Sequence, residues 1–161
     1  MKKYGKTIEF LVEKTGLPKR VMRYVVDHNI VPIDRSSSSG PGVPRTMEDH
    51  YAFVLVLGSA LLHFGVKTKF VASLFQDDPS FEQIAGIYEE LDSCKSAFLV
   101  VADGAFYQLR TDRPKMNYQV YENRWHRIRE EGVKAEPVPK QFQPLLEIIL
   151  DMKRYYTITT T

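Results

Sequence analysis

The sequence predicts an α+β protein: a helical N-terminal half that opens on a helix-turn-helix pair, then a small C-terminal α/β segment with a β-hairpin. Three observations carry that reading. Between Ile8 and Pro32, apolar residues recur at helical spacing on both sides of a Thr15-Gly16 turn. Between Glu48 and Phe75 the 3.6-residue period continues through two further helices, broken at Gly65. From Ser96 the period changes, and Asp103-Gly104 stands between two β-prone runs, the strongest short-range signal for a hairpin.

Thr7 suits the N-cap of a first helix of about Ile8 to Lys14, whose Ile8, Leu11 and Val12 share a face. Gly16 relieves the backbone at the turn. Pro18 opens a second helix, where its missing N–H costs nothing. On that helix Leu17, Val21 and Val25 lie on one side, with Lys19, Arg20 and Arg23 on the other. Asn29 follows it and tolerates the left-handed conformation of a C-terminal cap. Ile30, Val31 and Ile33 read as a short strand pinned by Pro32. Residues 34–45 hold four serines, two glycines and two prolines and make no core element. They read either as an interdomain linker or as a hairpin wing flanked by Arg35 and Arg45.

Thr46 with Asp49 resembles a capping box opening a helix of about Glu48 to Phe64, with Phe53, Val56, Leu57, Ala60, Leu61 and Phe64 in its apolar stripe. A shorter helix of about Lys67 to Phe75 buries Phe70, Val71, Leu74 and Phe75. Asp77-Asp78-Pro79 is a stop, and Ser80 with Gln83 caps a helix of about Phe81 to Ser93. The hairpin strands follow, then a third strand at Tyr118 to Tyr121, while Arg124 to Gly132 is charged and ambiguous. A last helix is expected over about Phe142 to Arg154. The tail from Tyr155 to Thr161 is β-prone, either a final strand or frayed. The expected division is residues 1–76 and 77–161.

With 161 residues the chain is long enough to bury a core, and 43% hydrophobic with 26% charged residues lies in the globular range. The longest apolar run, Tyr51 to His63, is interrupted by Gly58 and Ser59 and is too short to span a bilayer. MKKYGKTIEF has basic residues but no apolar signal core. A single cysteine, Cys94, excludes an internal disulfide and a multi-cysteine metal site. A cytoplasmic location is expected. The formal charge is +2, but Met1 to Arg45 carries nine basic against four acidic residues, +5, leaving thirteen against sixteen, −3, for the rest. That asymmetry puts positive potential on the helix pair, where a polyanion would be met.

The stretch TGLPKRVMRYVVDHNIVP resembles the opening of the MerR-type winged helix-turn-helix. Thr15, Gly16 and Leu17 match its turn. Arg20, Met22, Arg23 and Tyr24 match its recognition helix, and Ile30, Val31 and Pro32 its exit. The order of parts continues to match, with a wing, a long helix and then LLHFGVKTKFVASLF, so that the resemblance covers about residues 5 to 76. It departs from the pattern at Val25, at Asn29 and at Gly42-Val-Pro-Arg45-Thr-Met after the wing. The long dimerisation helix and cysteine metal loop of metal-sensing members are absent, so metal sensing is not carried over.

The resemblance implies double-stranded DNA binding. Arg20 and Arg23, one turn apart, would reach base edges or phosphates, and an Arg fork suits guanine O6 and N7. Lys19 and Tyr24 would touch the DNA backbone, with Arg35 and Arg45 clasping phosphates from the wing. The alternative for Arg23 is a solvated pair with Asp27. One module has a small footprint, so a homodimer on two half-sites is expected, with the C-terminal elements as dimerisation segment.

No enzyme is expected, and no cofactor or metal. His28, His50, His63 and His126 are scattered, with His63 read as packed against its helix neighbours. Cys94 lacks a basic cluster, Asp77-Asp78 with Glu82 is more simply a helix stop and cap, and no phosphate loop or nucleophile elbow appears. Phe98, Phe106, Tyr107, Tyr118, Tyr121 and Trp125 either line a pocket for a small-molecule or protein effector or fill a β-rich core, the reading favoured here. The expected function is that of a transcriptional regulator binding DNA in a sequence-specific way. An excisionase-like or architectural DNA-binding factor is one alternative. A protein-interaction module using the C-terminal β-segment is another.

Overall fold

The computed structural model describes residues 6–31, 46–76, 87–102, 106–113, 117–121, 124–127 and 147–160. In chain order they form β1 (Lys6–Thr7), α1 (Ile8–Thr15), α2 (Lys19–Asp27), β2 (Thr46–Met47), α3 (Asp49–His63) and α4 (Thr68–Gln76). A short 3-10 turn (Leu91–Ser93) then leads into β3 (Ala97–Ala102), β4 (Phe106–Thr111), β5 (Tyr118–Tyr121), β6 (Arg124–Arg127), β7 (Glu147–Asp151) and α5 (Met152–Thr160). The protein is thus a mixture of helices and antiparallel sheet. It divides into two units, Met1–Gln76 with Arg154–Thr161, and Asp77–Lys153. The sequence reading leaves Arg154–Thr161 with the C-terminal segment, whereas the chain groups it with the N-terminal helices.

In the first unit α3 is the central helix, packing against α1, α2 and α4. Every residue from Ala52 to Leu61 is buried, so the helix has no solvent face to give it a stripe. The chain turns on the residues expected to allow it. Thr7 Oγ1 accepts from the Phe10 N–H (3.1 Å) and caps α1. Gly16 is left-handed, with φ 75°. Asn29 is left-handed too, with φ 51°. There the N–H of Asn29 donates to Val26 O and that of Ile30 to Val25 O, a Schellman ending that satisfies the last carbonyls of α2. Gly65 ends α3 in the same way, with φ 102°.

Ile30 and Val31 are not a strand. Ile30 is committed to closing α2, and both side chains are buried, Val31 lying against Gly58 of α3. Ile33 and residues 34–45, the expected wing, lie outside the described residues. Nor does Thr46 cap α3. It pairs with Thr7 across the two-stranded β1–β2 ladder, and Glu48 takes the N-cap position with no side-chain bond. Phe64 (50% exposed) and Phe70 (37%) leave the apolar stripes they were read into, and His63 is exposed, with its ring centroid 5.4 Å from that of its neighbour Phe64.

The second unit is a five-stranded antiparallel sheet in the order β6-β5-β4-β3-β7. The hairpin is where Asp103-Gly104 puts it, with Ala102 paired to Phe106 and Ala97 to Thr111, although residues 103–105 lie outside the described ones. Leu99 faces Leu109 on one side and Leu150 on the other, and this buried row is the core of one sheet face. Asp112 fastens the entry of β3, its Oδ1 accepting from the N–H groups of Lys95 (2.9 Å) and Ser96 (3.2 Å). Of the helix expected over Phe81 to Ser93, residues 87–90 are helical and lead into the 3-10 turn.

The largest departure is at the C-terminal end. Glu147–Asp151 is a strand, not the last helix, and the β-prone tail is helical. β3 has β4 on one edge, and its other edge takes Ile148, Ile149 and Leu150 as a ladder partner. A run of two β-branched residues and a leucine suits a strand as readily as a helix, and the tertiary ladder decides. In α5 the threonines bond backwards, Thr159 Oγ1 to Tyr155 O (3.0 Å) and Thr160 Oγ1 to Tyr156 O (2.8 Å). Their hydroxyls are thereby satisfied inside the helix.

Candidate nucleic-acid interface

Helix α2 is held by one face and open on the other. Met22, Val25 and Val26 are buried, and α2 packs on α3. At about 100° per residue, Lys19, Arg23, Asp27, Arg20 and Tyr24 follow one another across a single arc, and all five are exposed. The helix therefore presents Arg20 and Arg23 outward because its apolar residues have committed the opposite side to the core.

The approach to this helix is equally constrained. Thr15 Oγ1 donates to Leu11 O (2.6 Å) and accepts from the Leu17 N–H (3.2 Å), which stitches the turn on both sides of Gly16. Leu17 is buried, and Pro18 (φ −64°, ψ 134°) stands at the N-cap of α2 rather than inside it. The chain leaves the described residues after Val31 and returns at Thr46, which is paired to β1 immediately before α1. Val31 and Thr46, which flank residues 32–45, thus both belong to the unit that carries α2.

The structure brings Lys19, Arg20, Arg23 and Tyr24 together on one helix. Among the described residues neither Arg20 nor Arg23 takes part in an ion pair, so the Arg23–Asp27 pair is not formed. Lys19 differs, because its Nζ lies 3.0 Å from Glu9 Oε1 of α1. The Glu9 carboxyl is held below the usual range by its own backbone N–H, then by the Lys19 ammonium and more weakly by the Arg23 charge. The Tyr24 and His28 rings lie 4.1 Å apart, and His28 Nδ1 is 3.0 Å from Tyr24 O. Arg35 and Arg45 lie outside the described residues.

Two sets of contacts made by α1 residues are absent from the sequence reading. Lys6 Nζ and Lys14 Nζ sit 5.1 and 6.0 Å from the Phe10 ring centroid, adding two cations to the α1 side. Lys14 is four residues after Phe10, so that contact was legible as a helix i, i+4 pair. The Glu9–Lys19 pair crosses the turn between two helices and has no such signature.

Elsewhere the chemistry is quiet. Cys94 is buried, its Sγ lies 3.6 Å from Glu90 O, and burial, followed by the Asp112 charge, pushes its thiol up, away from the reactive thiolate. Among the described residues no group of three His, Cys, Asp or Glu is arranged to hold a metal ion, and no helix is long and apolar enough to cross a membrane. Asp77, Asp78 and Glu82 lie outside the described residues. Of the C-terminal aromatics, Phe98 is 37% exposed rather than core, while the side chains of Phe106, Tyr107, Tyr121 and Trp125 are outside the described set. Compared with known proteins, the chain matches no family model, no curated protein and no solved structure at significance.

Proposed function

We propose that the N-terminal unit binds double-stranded DNA in a sequence-specific way, through α2 as the reading helix of a MerR-like winged helix-turn-helix. The observation that carries this reading is the exposed arc of α2. Arg20 and Arg23 stand one turn apart, without ion-pair partners among the described residues, on a helix whose other side packs on α3. Unpaired guanidiniums on a rigid helix suit base edges and phosphates. A fixed turn gives that helix one angle of approach. Lys6 and Lys14 add charge of the sign that a polyphosphate backbone attracts.

The protein acts as a transcriptional regulator and works as a homodimer, since one helix spans too few base pairs for useful affinity. The C-terminal unit supplies dimer contacts or receives an effector. An excisionase-like or architectural role would use the same helix and differ in the DNA it leaves behind, which is bent rather than read as two half-sites. The test is titration of duplex DNA over a salt series. Binding weakens steeply as salt rises, and the Arg20→Ala, Arg23→Ala double variant loses specific binding while its far-UV circular dichroism and melting stay those of the parent. A double variant that retards DNA as well as the parent overturns the proposal.

A further inference from the structure

We propose that Glu9 is a selectivity residue of this interface: its carboxylate holds the Lys19 ammonium and keeps that cation from adding to general attraction for phosphates. The inference rests on the DNA-binding reading above. Lys19 Nζ and Glu9 Oε1 are 3.0 Å apart, with both side chains about half exposed, so the pair forms at the surface where a phosphate would arrive. Lys19 lies at one rim of the exposed arc of α2, next in order to Arg23, and Arg23 also contributes to the field at Glu9. A phosphate approaching that rim meets a neutralised pair and a competing carboxylate. One approaching Arg20 meets a guanidinium that has no ion-pair partner among the described residues.

The physical consequence is a division of labour. Sequence-independent affinity grows with the number of phosphates that protein cations neutralise, each contributing about 0.9 to the salt slope through the counterion it releases. Engaging Lys19 internally removes about one such contact from any duplex, right or wrong, and the carboxylate repels the backbone besides. Base reading by Arg20, about 100° round the helix from Lys19, does not depend on that pair. The ratio of specific to non-specific binding therefore rises, although absolute affinity falls.

The experiment uses the full chain and a random-sequence duplex of fixed length, titrated from low to moderate salt, with four proteins: the parent, Glu9→Gln, Lys19→Ala and the double variant. Glu9→Gln should bind the random duplex about three- to fivefold more tightly at low salt, with a slope steeper by about one unit. Lys19→Ala in the parent should leave the salt slope within about half a unit, since that cation is already engaged, while the uncovered Glu9 carboxylate lowers affinity. Lys19→Ala in the Glu9→Gln background should erase the gain. If the parent binds but Glu9→Gln gains nothing, or Lys19→Ala changes the salt slope equally in both backgrounds, Glu9 has no such role and the DNA reading stands. If the parent fails to bind any duplex at low salt, the DNA reading falls and this inference with it.

Discussion

Replacing Gly58 with Ala perturbs one close contact in the core of the N-terminal unit. A Cβ at Gly58 would lie 2.7 Å from Val31 Cγ1, against an ordinary 3.7 Å from Phe75 Cε2 and Val71 Cγ1. Carbon atoms rest at about 3.5–4.0 Å, so Val31 must give way by about 1 Å while the other two need not move. Val31 is 1% exposed and β-branched, with little rotamer freedom. Overpacking of this kind costs about 1–3 kcal/mol, and Ala in a helix interior returns about 1 kcal/mol over Gly. Gly58→Ala should therefore destabilise by about 1 kcal/mol in urea denaturation, with the slope unchanged. In a Val31→Ala background the clashing Cγ1 is gone, and the same change should stabilise by about 1 kcal/mol. Equal effects of Gly58→Ala in the two backgrounds would refute the contact.

Other outcomes follow from single features. Ser59 is fully buried and its Oγ has no hydrogen-bond partner among the described residues, so Ser59→Ala should raise stability by about 1 kcal/mol; a fall in the melting temperature would show that the hydroxyl is satisfied. Deleting residues 154–161 removes Tyr155 (7% exposed) and Thr159 (0%) from the unit they belong to, and should cost about 3 kcal/mol, which denaturant titration would read. A truncated chain as stable as the parent contradicts that. The Asp112 carboxyl is held below its ordinary value, chiefly by the Ser96 N–H and further by the Lys95 N–H, and Glu9 is lowered by its own N–H and Lys19. A depressed carboxylate stabilises above its unfolded value and loses that contribution as pH falls through the folded one. The stability advantage of the parent over Asp112→Asn and over Glu9→Gln should thus be present at pH 6 and vanish below the carboxylate range. An advantage independent of pH would sink the assignment.

How much was legible in the sequence depends on whether local chemistry or a distant neighbour made the decision. Thr7, Gly16, Asn29 and Gly65 each have a backbone role set within five residues, and each takes the expected conformation. The Asp103-Gly104 hairpin register is local in the same sense. Thr46 fails as a cap because Thr7, far back in the chain, recruits it into a ladder. Glu147–Asp151 fails as a helix because β3, nearly fifty residues earlier, needs a second edge partner. At the interface, α2 could be oriented from its own apolar residues, so Arg20 and Arg23 were readable as exposed. The Glu9–Lys19 pair was not, because it depends on how α1 and α2 cross at the turn.

The central claim is that the exposed arc of α2 reads DNA, and selection of bound sites from a random duplex pool tests it most directly. DNA reading by α2 in a homodimer predicts enrichment of an inverted repeat whose half-sites lie about one helical turn, or a multiple of it, apart. It also predicts that Arg20→Ala with Arg23→Ala abolishes the enrichment in a folded protein. A pool that emerges unenriched with the parent, or one enriched for the same sites by the double variant, would contradict it.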